Sequence, residues 1–325
     1  MNQLRVAVVG AGVFGRNHAR VIHRNPEVQL VGVIDTDLMR AKQIADEYNS
    51  HGYASFADIP DKVDAAIIAS PTETHEAVAS RLLEADIDVL VEKPIADSSA
   101  AGERLTRLAA ERGRILQVGH LERFNPALIA LERMVTVPLF FEVHRLSVFT
   151  VRSLDIDVIL DLMIHDLDIV LSLTRDTPDE IRAAGISVLS PKVDIANVRL
   201  SFPSGCIANL TASRVSTEKV RKIRLFQPSQ YISLDYARQE AVAFEVKPHP
   251  GRALPDIEHS TLPVEKAEPL ELELKSFFDC IRTRANPRVD GSQATAALHV
   301  AESILAKIKE HGDLVAETVS RGLDG

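Results

Sequence analysis

The residues best suited to chemistry in this chain are a lysine closing one apolar run and an aspartate–histidine pair inside another. Lys93 stands in Glu92-Lys93-Pro94, directly after Val89-Leu90-Val91. Held against a proline in a partly desolvated cleft, a lysine is pushed toward its neutral form and can give or take a proton. Alone, it would read as a surface lysine at a strand end. In Asp161-Leu162-Met163-Ile164-His165-Asp166-Leu167-Asp168, positions 161, 165 and 168 are spaced i, i+4 and i+7. A regular helix sets Asp161, His165 and Asp168 on one face, flanked by Ile159, Leu160, Leu162, Ile164, Leu167 and Ile169. Such a stripe is costly to bury unless its members are paired or used. Asp166 points elsewhere and reads as structural.

A second constellation suits phosphate. Gly10-Ala11-Gly12-Val13-Phe14-Gly15 is a GxGxxG pattern between an apolar run and a helical one. The first glycine permits the tight turn, the second lets the backbone approach a pyrophosphate, and the third lets helix and strand pack closely. The N–H groups of the helix N-terminus then face the phosphates. Gly10, Gly12, Val13, Phe14 and Gly15 are thus candidate dinucleotide contacts. Asp35 closes the next apolar run, about 20 residues on, where a carboxylate can hold ribose hydroxyls. Asp37 follows, and two carboxylates would repel a 2′-phosphate, which favours NAD over NADP even with Arg40 nearby.

The elements that must position these residues alternate. Strands are expected at Arg5–Val9, Gln29–Asp35, Asp64–Ala69, Asp88–Glu92 and Ile115–Val118, with helices at Arg16–Asn25, Arg40–Tyr48, Thr74–Ala85 and Ser98–Arg112 between them. This is the pattern of a doubly wound parallel sheet, the Rossmann α/β fold. Ligands of such a sheet bind at the carboxyl ends of its strands. Ser70, Pro71, Thr72, His75, Glu92, Lys93 and His120 fall there and join the candidate cofactor contacts. After Gly119 the pattern changes. A helix is expected at Asn125–Val135 and a strand at Leu139–Thr150, and beyond Arg182 short alternating strands dominate, such as Val198-Leu200-Phe202, Ile223-Leu225 and Ile232-Leu234. The second domain is therefore α+β, on a mainly antiparallel open sheet. Two amphipathic helices, Leu270–Arg284 and Gln293–His311, close the chain, and Lys247–Pro269 reads as a long loop. The expected domains are 1–121 for the dinucleotide and 122–325 for substrate and assembly, the C-terminal helix packing back on the first.

Composition narrows the function classes. A chain of 325 residues with 46% hydrophobic content can bury two cores, and a net charge of −9 disfavours nucleic acid and anionic membranes as partners. Cys206 and Cys280 form no CxxC or Cys/His cluster, so neither a disulfide framework nor a metal site is expected. The run Val6-Ala7-Val8-Val9 reads as a first strand rather than a signal peptide, and Asp161, His165, Asp166 and Asp168 interrupt the most apolar later stretch. A soluble cytoplasmic protein is the expectation.

Taken together, Gly10–Gly15 followed by His18, Pro71-Thr72 with His75, Glu92-Lys93-Pro94, and Asp161 with His165 and Asp168 resemble the Gfo/Idh/MocA oxidoreductases across nearly the whole chain. The resemblance implies a catalytic set of Lys93, Asp161 and His165 around a hydroxyl-bearing sugar or polyol carbon. It also implies NAD as cofactor and a homodimer or homotetramer built through the outer face of the C-terminal sheet. His165 or Lys93 would take the hydroxyl proton, Lys93 would donate to the developing oxyanion, and Asp161 would orient His165. Gly119-His120-Leu121-Glu122-Arg123-Phe124-Asn125-Pro126 resembles the branch acting on nucleotide-activated amino sugars, which oxidises the 3-hydroxyl of UDP-N-acetylglucosamine. That branch implies a functional link to an aminotransferase making 3-amino sugars for lipid A variants. Substrate contacts would then come from Lys93, His120, Arg123, Asn125, Arg145, Asp161, His165 and Arg214, less so from Lys219 and Arg221; the arginines suit a diphosphate. A free polyol or aldose such as inositol, or an NAD-bound sensor without turnover, are the competing readings.

Overall fold

A computed structural model of the chain describes residues 3–60, 62–150, 154–249 and 255–323. Two compact units emerge. Met1–Phe124 and Ala267–Ala296 form the first, Asn125–Lys266 and Ala297–Gly325 the second. No helix among the described residues is long and apolar enough to cross a membrane.

In the first unit, strands β1 (Leu4–Val9), β2 (Val28–Ile34), β3 (Gly52–Tyr53), β4 (Ala65–Ile68), β5 (Asp88–Glu92) and β6 (Leu116–Gly119) form one parallel sheet in the order β3-β2-β1-β4-β5-β6. The strand order reverses direction between β1 and β4, the switch point at which this fold takes its ligand. Helices α1 (Val13–Arg24), α2 (Leu38–Glu47), α3 (His75–Glu84) and α4 (Ser99–Arg112) connect the strands. Burial on both faces explains why β4 is apolar throughout, every residue of Ala65–Ile68 being buried. Ser98 caps α4 through its hydroxyl, and Gly113 ends it in the left-handed region. Late in the chain, α7 (Pro269–Thr283) returns to this unit, where Leu274, Phe277, Phe278 and Ile281 join a core with Val6, Val8 and Ile22.

The second unit holds α5 (Pro126–Glu132), β7 (Phe140–Val148), α6 (Ile164–Thr174), β8 (Glu180–Ile186), β9 (Ile195–Ser201), β10 (Ile207–Ser216), β11 (Val220–Gln227), β12 (Gln230–Asp235), β13 (Glu240–Lys247) and β14 (Asp256–Thr261). The eight strands order as β14-β13-β12-β11-β7-β10-β9-β8, all neighbours antiparallel except β7 and β10. One face buries Phe141, Val143, Leu210, Ile223 and Leu234 against Met163, Leu167 and Val170, and against Val300 and Ile304 of α8 (Gly291–Leu323). Two expectations change. Lys247–Pro269 is not one loop, because Asp256–Thr261 pairs with β13 as an edge strand, Val246 opposite Ile257. Its polar, fully exposed sequence hid it, and 250–254 lie outside the described residues. The helix bearing His165 opens with a π-helical turn, Ile159–Met163, closed by Ile164 N–H donating to the Ile159 carbonyl.

Candidate active site

The glycine turn behaves as three different positions. Gly10 has φ of +104°, and a Cβ there would lie 2.4 Å from the Ala69 carbonyl oxygen. At Gly15 a Cβ would stand 1.8 Å from the Gly10 carbonyl oxygen. Gly12, in contrast, has nothing of the described protein within 4 Å of its Cβ position, and no side chain caps the α1 N-terminus that follows. Val13 and Phe14 are 63% and 59% exposed there. An open backbone position at an uncapped helix start is the cradle a pyrophosphate fills. Asp35 is oriented by the same turn: Ala11 N–H donates to its Oδ2 at 2.8 Å and Asp37 N–H to its Oδ1 at 2.9 Å. These residues fit an NAD dinucleotide. Asp37 has a task of its own, capping α2 by accepting from Met39 and Arg40 N–H.

Strand ends β4, β5 and β6 carry the other candidates of this unit. The Ser70 and Thr74 hydroxyls lie 2.7 Å apart, Thr74 donates to the Pro71 carbonyl, and Pro71 and Thr72 open the adjoining turn. His75 is engaged within the protein. Its buried ring sits between two carbonyls, Nδ1 2.9 Å from Pro94 O and Nε2 2.9 Å from Ser70 O. These two contacts strap two strand-end loops together. Glu92 Oε1 lies 2.7 Å from His18 Nε2, and its Oε2 accepts the Lys93 backbone N–H at 3.3 Å. Burial alone would raise the Glu92 carboxyl, but His18 and the Lys93 charge hold it below the usual range. Lys93 is half-buried, and His120 is buried beyond the end of β6.

In the second unit, Asp161 lies within the π turn and His165 in the first turn of α6, both half-buried. Asp168, expected on their face, is buried at 2% exposure. The segment is pinned at its start, where Val193 N–H donates to Asp157 Oδ1 at 2.8 Å and Val158 N–H to the Val193 carbonyl at 2.9 Å.

Three of the expected substrate contacts have partners within the protein. Arg145 is 2% exposed, and its Nε and Nη2 form a fork on Asp166 at 2.7 and 2.8 Å, with its guanidinium 5.5 Å from the Tyr236 ring centroid. A buried bidentate pair of this kind engages the geometry a diphosphate would need. Arg214 donates from Nη2 to the Ile156 carbonyl, with Nε 3.7 Å from the buried Asp194 carboxylate. Asn125 caps α5 by accepting from Ala127 N–H and donates to the Tyr236 carbonyl. Arg123 is buried at 6% exposure, Arg221 is half-buried, and Lys219 is exposed in the β10–β11 turn. Sequence reasoning missed the pairing of His18 with Glu92, and it missed Glu273. The latter left a signal: in Leu270, Glu273, Leu274, Phe277 and Ile281, one acid interrupts the apolar stripe of α7.

The sheet order, the glycine turn and the ribose-side acid define a Rossmann dinucleotide-binding enzyme. Residues 4–120 match the family model of the Gfo/Idh/MocA oxidoreductases, described as an NAD-binding Rossmann fold, and 140–227 match the model of that family's C-terminal domain. The chain belongs to the Gfo/Idh/MocA oxidoreductase family, with NAD as its cofactor. Among its relatives, the UDP-N-acetylglucosamine 3-dehydrogenase of Acidithiobacillus ferrooxidans is 33% identical over 310 residues, covering 95% of this chain and 98% of that one. The solved structure of that enzyme superposes with a TM-score of 0.88, covering 95% of this chain and 99% of that one. An inositol 2-dehydrogenase of Rubrobacter xylanophilus is 29% identical, over 66% of each chain. An oxidoreductase of Agrobacterium radiobacter, solved with NAD+, L-tartaric acid and magnesium, shares the fold at 18% identity and a TM-score of 0.81, over 95% of this chain and 97% of that one.

Proposed function

We propose that this protein oxidises a sugar hydroxyl with NAD, the substrate being UDP-N-acetylglucosamine and the product its 3-keto sugar. The observation that carries this reading is the end-to-end likeness to a UDP-N-acetylglucosamine 3-dehydrogenase, at 33% identity over 95% of the chain. Support from the residues is that Lys93, Asp161 and His165 are all half-buried, as groups meeting a ligand must be. When bound, NAD supplies a hydride acceptor at its nicotinamide. His165 or Lys93 takes the proton from the sugar hydroxyl, Asp161 orients the His165 ring, and Lys93 donates to the oxygen as charge builds there. His120 borders the sugar. Asp35 holds the adenosine ribose and disfavours a 2′-phosphate. The ketone is then a substrate for an aminotransferase in the making of lipid A-type amino sugars, which places the enzyme in the cytoplasm. Assembly is as a homodimer or homotetramer through the outer face of the eight-stranded sheet.

A second reading, a free polyol such as inositol, draws on two observations. Inositol 2-dehydrogenases are among the relatives, and Arg145 and Arg214 are engaged by Asp166, Ile156 and Asp194. A diphosphate would then fall to Arg123, Lys219 and Arg221. The test is NADH absorbance with UDP-N-acetylglucosamine, inositol and free glucosamine in parallel, with a ketone trap. NADH from the UDP-sugar alone is the expected outcome; NADH from inositol alone replaces the substrate, and silence with all three in a protein that binds NAD turns the reading to another substrate or to an NAD-bound sensor.

A further inference from the structure

The first unit contains an acid that the proposed chemistry does not use. Glu273 on α7 is 0% exposed, and among the described residues neither of its carboxyl oxygens has a hydrogen-bond partner. Gln117 of β6 is equally buried. It donates its amide to the Glu273 backbone carbonyl at 3.2 Å, and its own Oε1 has no donor among the described residues. The charged groups on the elements packed around α7 are Arg16, His18, Arg20, His23 and Arg24 of α1 and Glu122 and Arg123 of the turn 121–124, and the Glu92 charge at the end of β5 also acts here. None of them hydrogen-bonds the Glu273 carboxyl; Arg20 is paired with Glu268, and His18 with Glu92.

An ionised carboxylate with no donor, far from water, is among the costliest groups a protein can bury, and a like charge nearby makes it costlier. A carboxylic acid is neutral, and its burial costs far less than that of a carboxylate. We propose that Glu273 is a protonated carboxylic acid in the working protein, a positioning residue that keeps a second negative charge away from Glu92, the carboxylate beside Lys93. Desolvation first, and the Glu92 charge second, push the Glu273 carboxyl well above its usual range, in the same sense as the geometry. When Glu273 loses its proton at alkaline pH, a second negative charge faces Glu92, the carboxylate on which Lys93 acts, and the part of Lys93 in proton transfer changes. This last consequence rests on the proposed dehydrogenase chemistry; the protonation itself does not.

Infrared spectroscopy of the whole protein tests the protonation directly, since the C=O band of a carboxylic acid stands apart from carboxylate bands and the Glu273→Gln variant assigns it. The expected result is such a band in wild type at neutral pH, lost on raising the pH and absent in Glu273→Gln. In Glu92→Gln the band should disappear at a pH lower by about one unit, because the neighbouring like charge is gone. No band in wild type, or a band surviving in Glu273→Gln, overturns the proposal even if that variant folds poorly, since the wild-type spectrum stands alone. An unmoved midpoint in Glu92→Gln removes the coupling. For Lys93, kcat/KM of wild type should change at alkaline pH with the infrared midpoint, and Glu273→Gln should lack that change; a shared alkaline change overturns the positioning role. Failure of every sugar to turn over overturns the dehydrogenase reading, while the band still decides Glu273.

Discussion

Gly12 and Gly15 belong to one turn, yet their surroundings separate binding from folding. A methyl group at Gly12 meets no described protein atom within 4 Å, so Gly12→Ala should lower stability by about 1 kcal/mol or less, the loss of a favourable N-cap residue. The same methyl stands where the dinucleotide backbone must approach, so NAD affinity should fall sharply. At Gly15 the methyl overlaps the Gly10 carbonyl, and Gly15→Ala should cost about 1–3 kcal/mol or more in thermal melts before any ligand is added. Equal NAD affinity in Gly12→Ala and wild type would remove the pyrophosphate from this turn. Lys93→Ala has the opposite profile: kcat should drop about 10²–10⁴-fold, the range for a lost acid–base group, with NAD binding by calorimetry retained. Near wild-type turnover would take Lys93 out of the reaction. The glycines were legible because their spacing is local and its reason steric. The arginines were not, because what decides Arg145 is Asp166 on another element, 21 residues away, and sequence alone does not pair them.

At the scale of elements, the loop between β8 and β9 braces the segment that bears Asp161 and His165. The buried Asp194 carboxylate accepts from the backbone N–H groups of Val188, Leu189 and Ser190 and from the Ser190 hydroxyl, while Val193 beside it holds Asp157. Burial acts to raise the Asp194 carboxyl, but these donors outweigh it and lower it from 3.8 to about 2. A carboxyl depressed on folding contributes stability that is present above its unfolded value and lost as pH falls through the folded one. Here that is about 2 kcal/mol, available above about pH 4 and lost toward pH 2. Asp194→Asn should therefore lower the melting temperature at neutral pH and flatten the acid limb, so that the two proteins converge near pH 2. Parallel acid limbs would show that the loop is held by something other than this carboxylate. The strands around it were largely readable from alternation, since one buried face imposes period two. The π turn was not, because apolar spacing registers that a helix is present and is blind to one widened turn within it.

For the whole molecule, the face of the eight-stranded sheet opposite its core raises the question of assembly. Phe140, Phe226, Tyr231, Phe244 and His259 form a ladder of ring contacts across five strands, with centroids 4.8–5.8 Å apart. Phe226 is 38% exposed, and Val246 and Ile257 beside the ladder are 41% and 69% exposed. These rings are already part-covered by one another, so they supply only a share of the roughly 800 Å² per partner of a standard interface, and the exposed Val246 and Ile257 beside them add to it. The face also carries Glu142 paired with Arg224 at 2.8 Å and His144 beside it, a polar margin whose charges can pair across a two-fold axis. The proposed occupant is a second copy of this chain, presenting the same face. Light scattering after gel filtration should give a multiple of the 35.7 kDa chain mass, and Phe226→Glu with Tyr231→Glu should return it to one chain. Both positions are outside the core, so the double variant should keep its cooperative melt while losing the protection that assembly adds, seen as a melting temperature no longer dependent on protein concentration. A wild-type mass of one chain at micromolar concentration would leave the ladder uncovered and remove assembly through this face. If the double variant is monomeric, folded and still binds NAD but turns over poorly, then the proposed reaction requires the assembly as well as the residues of one chain.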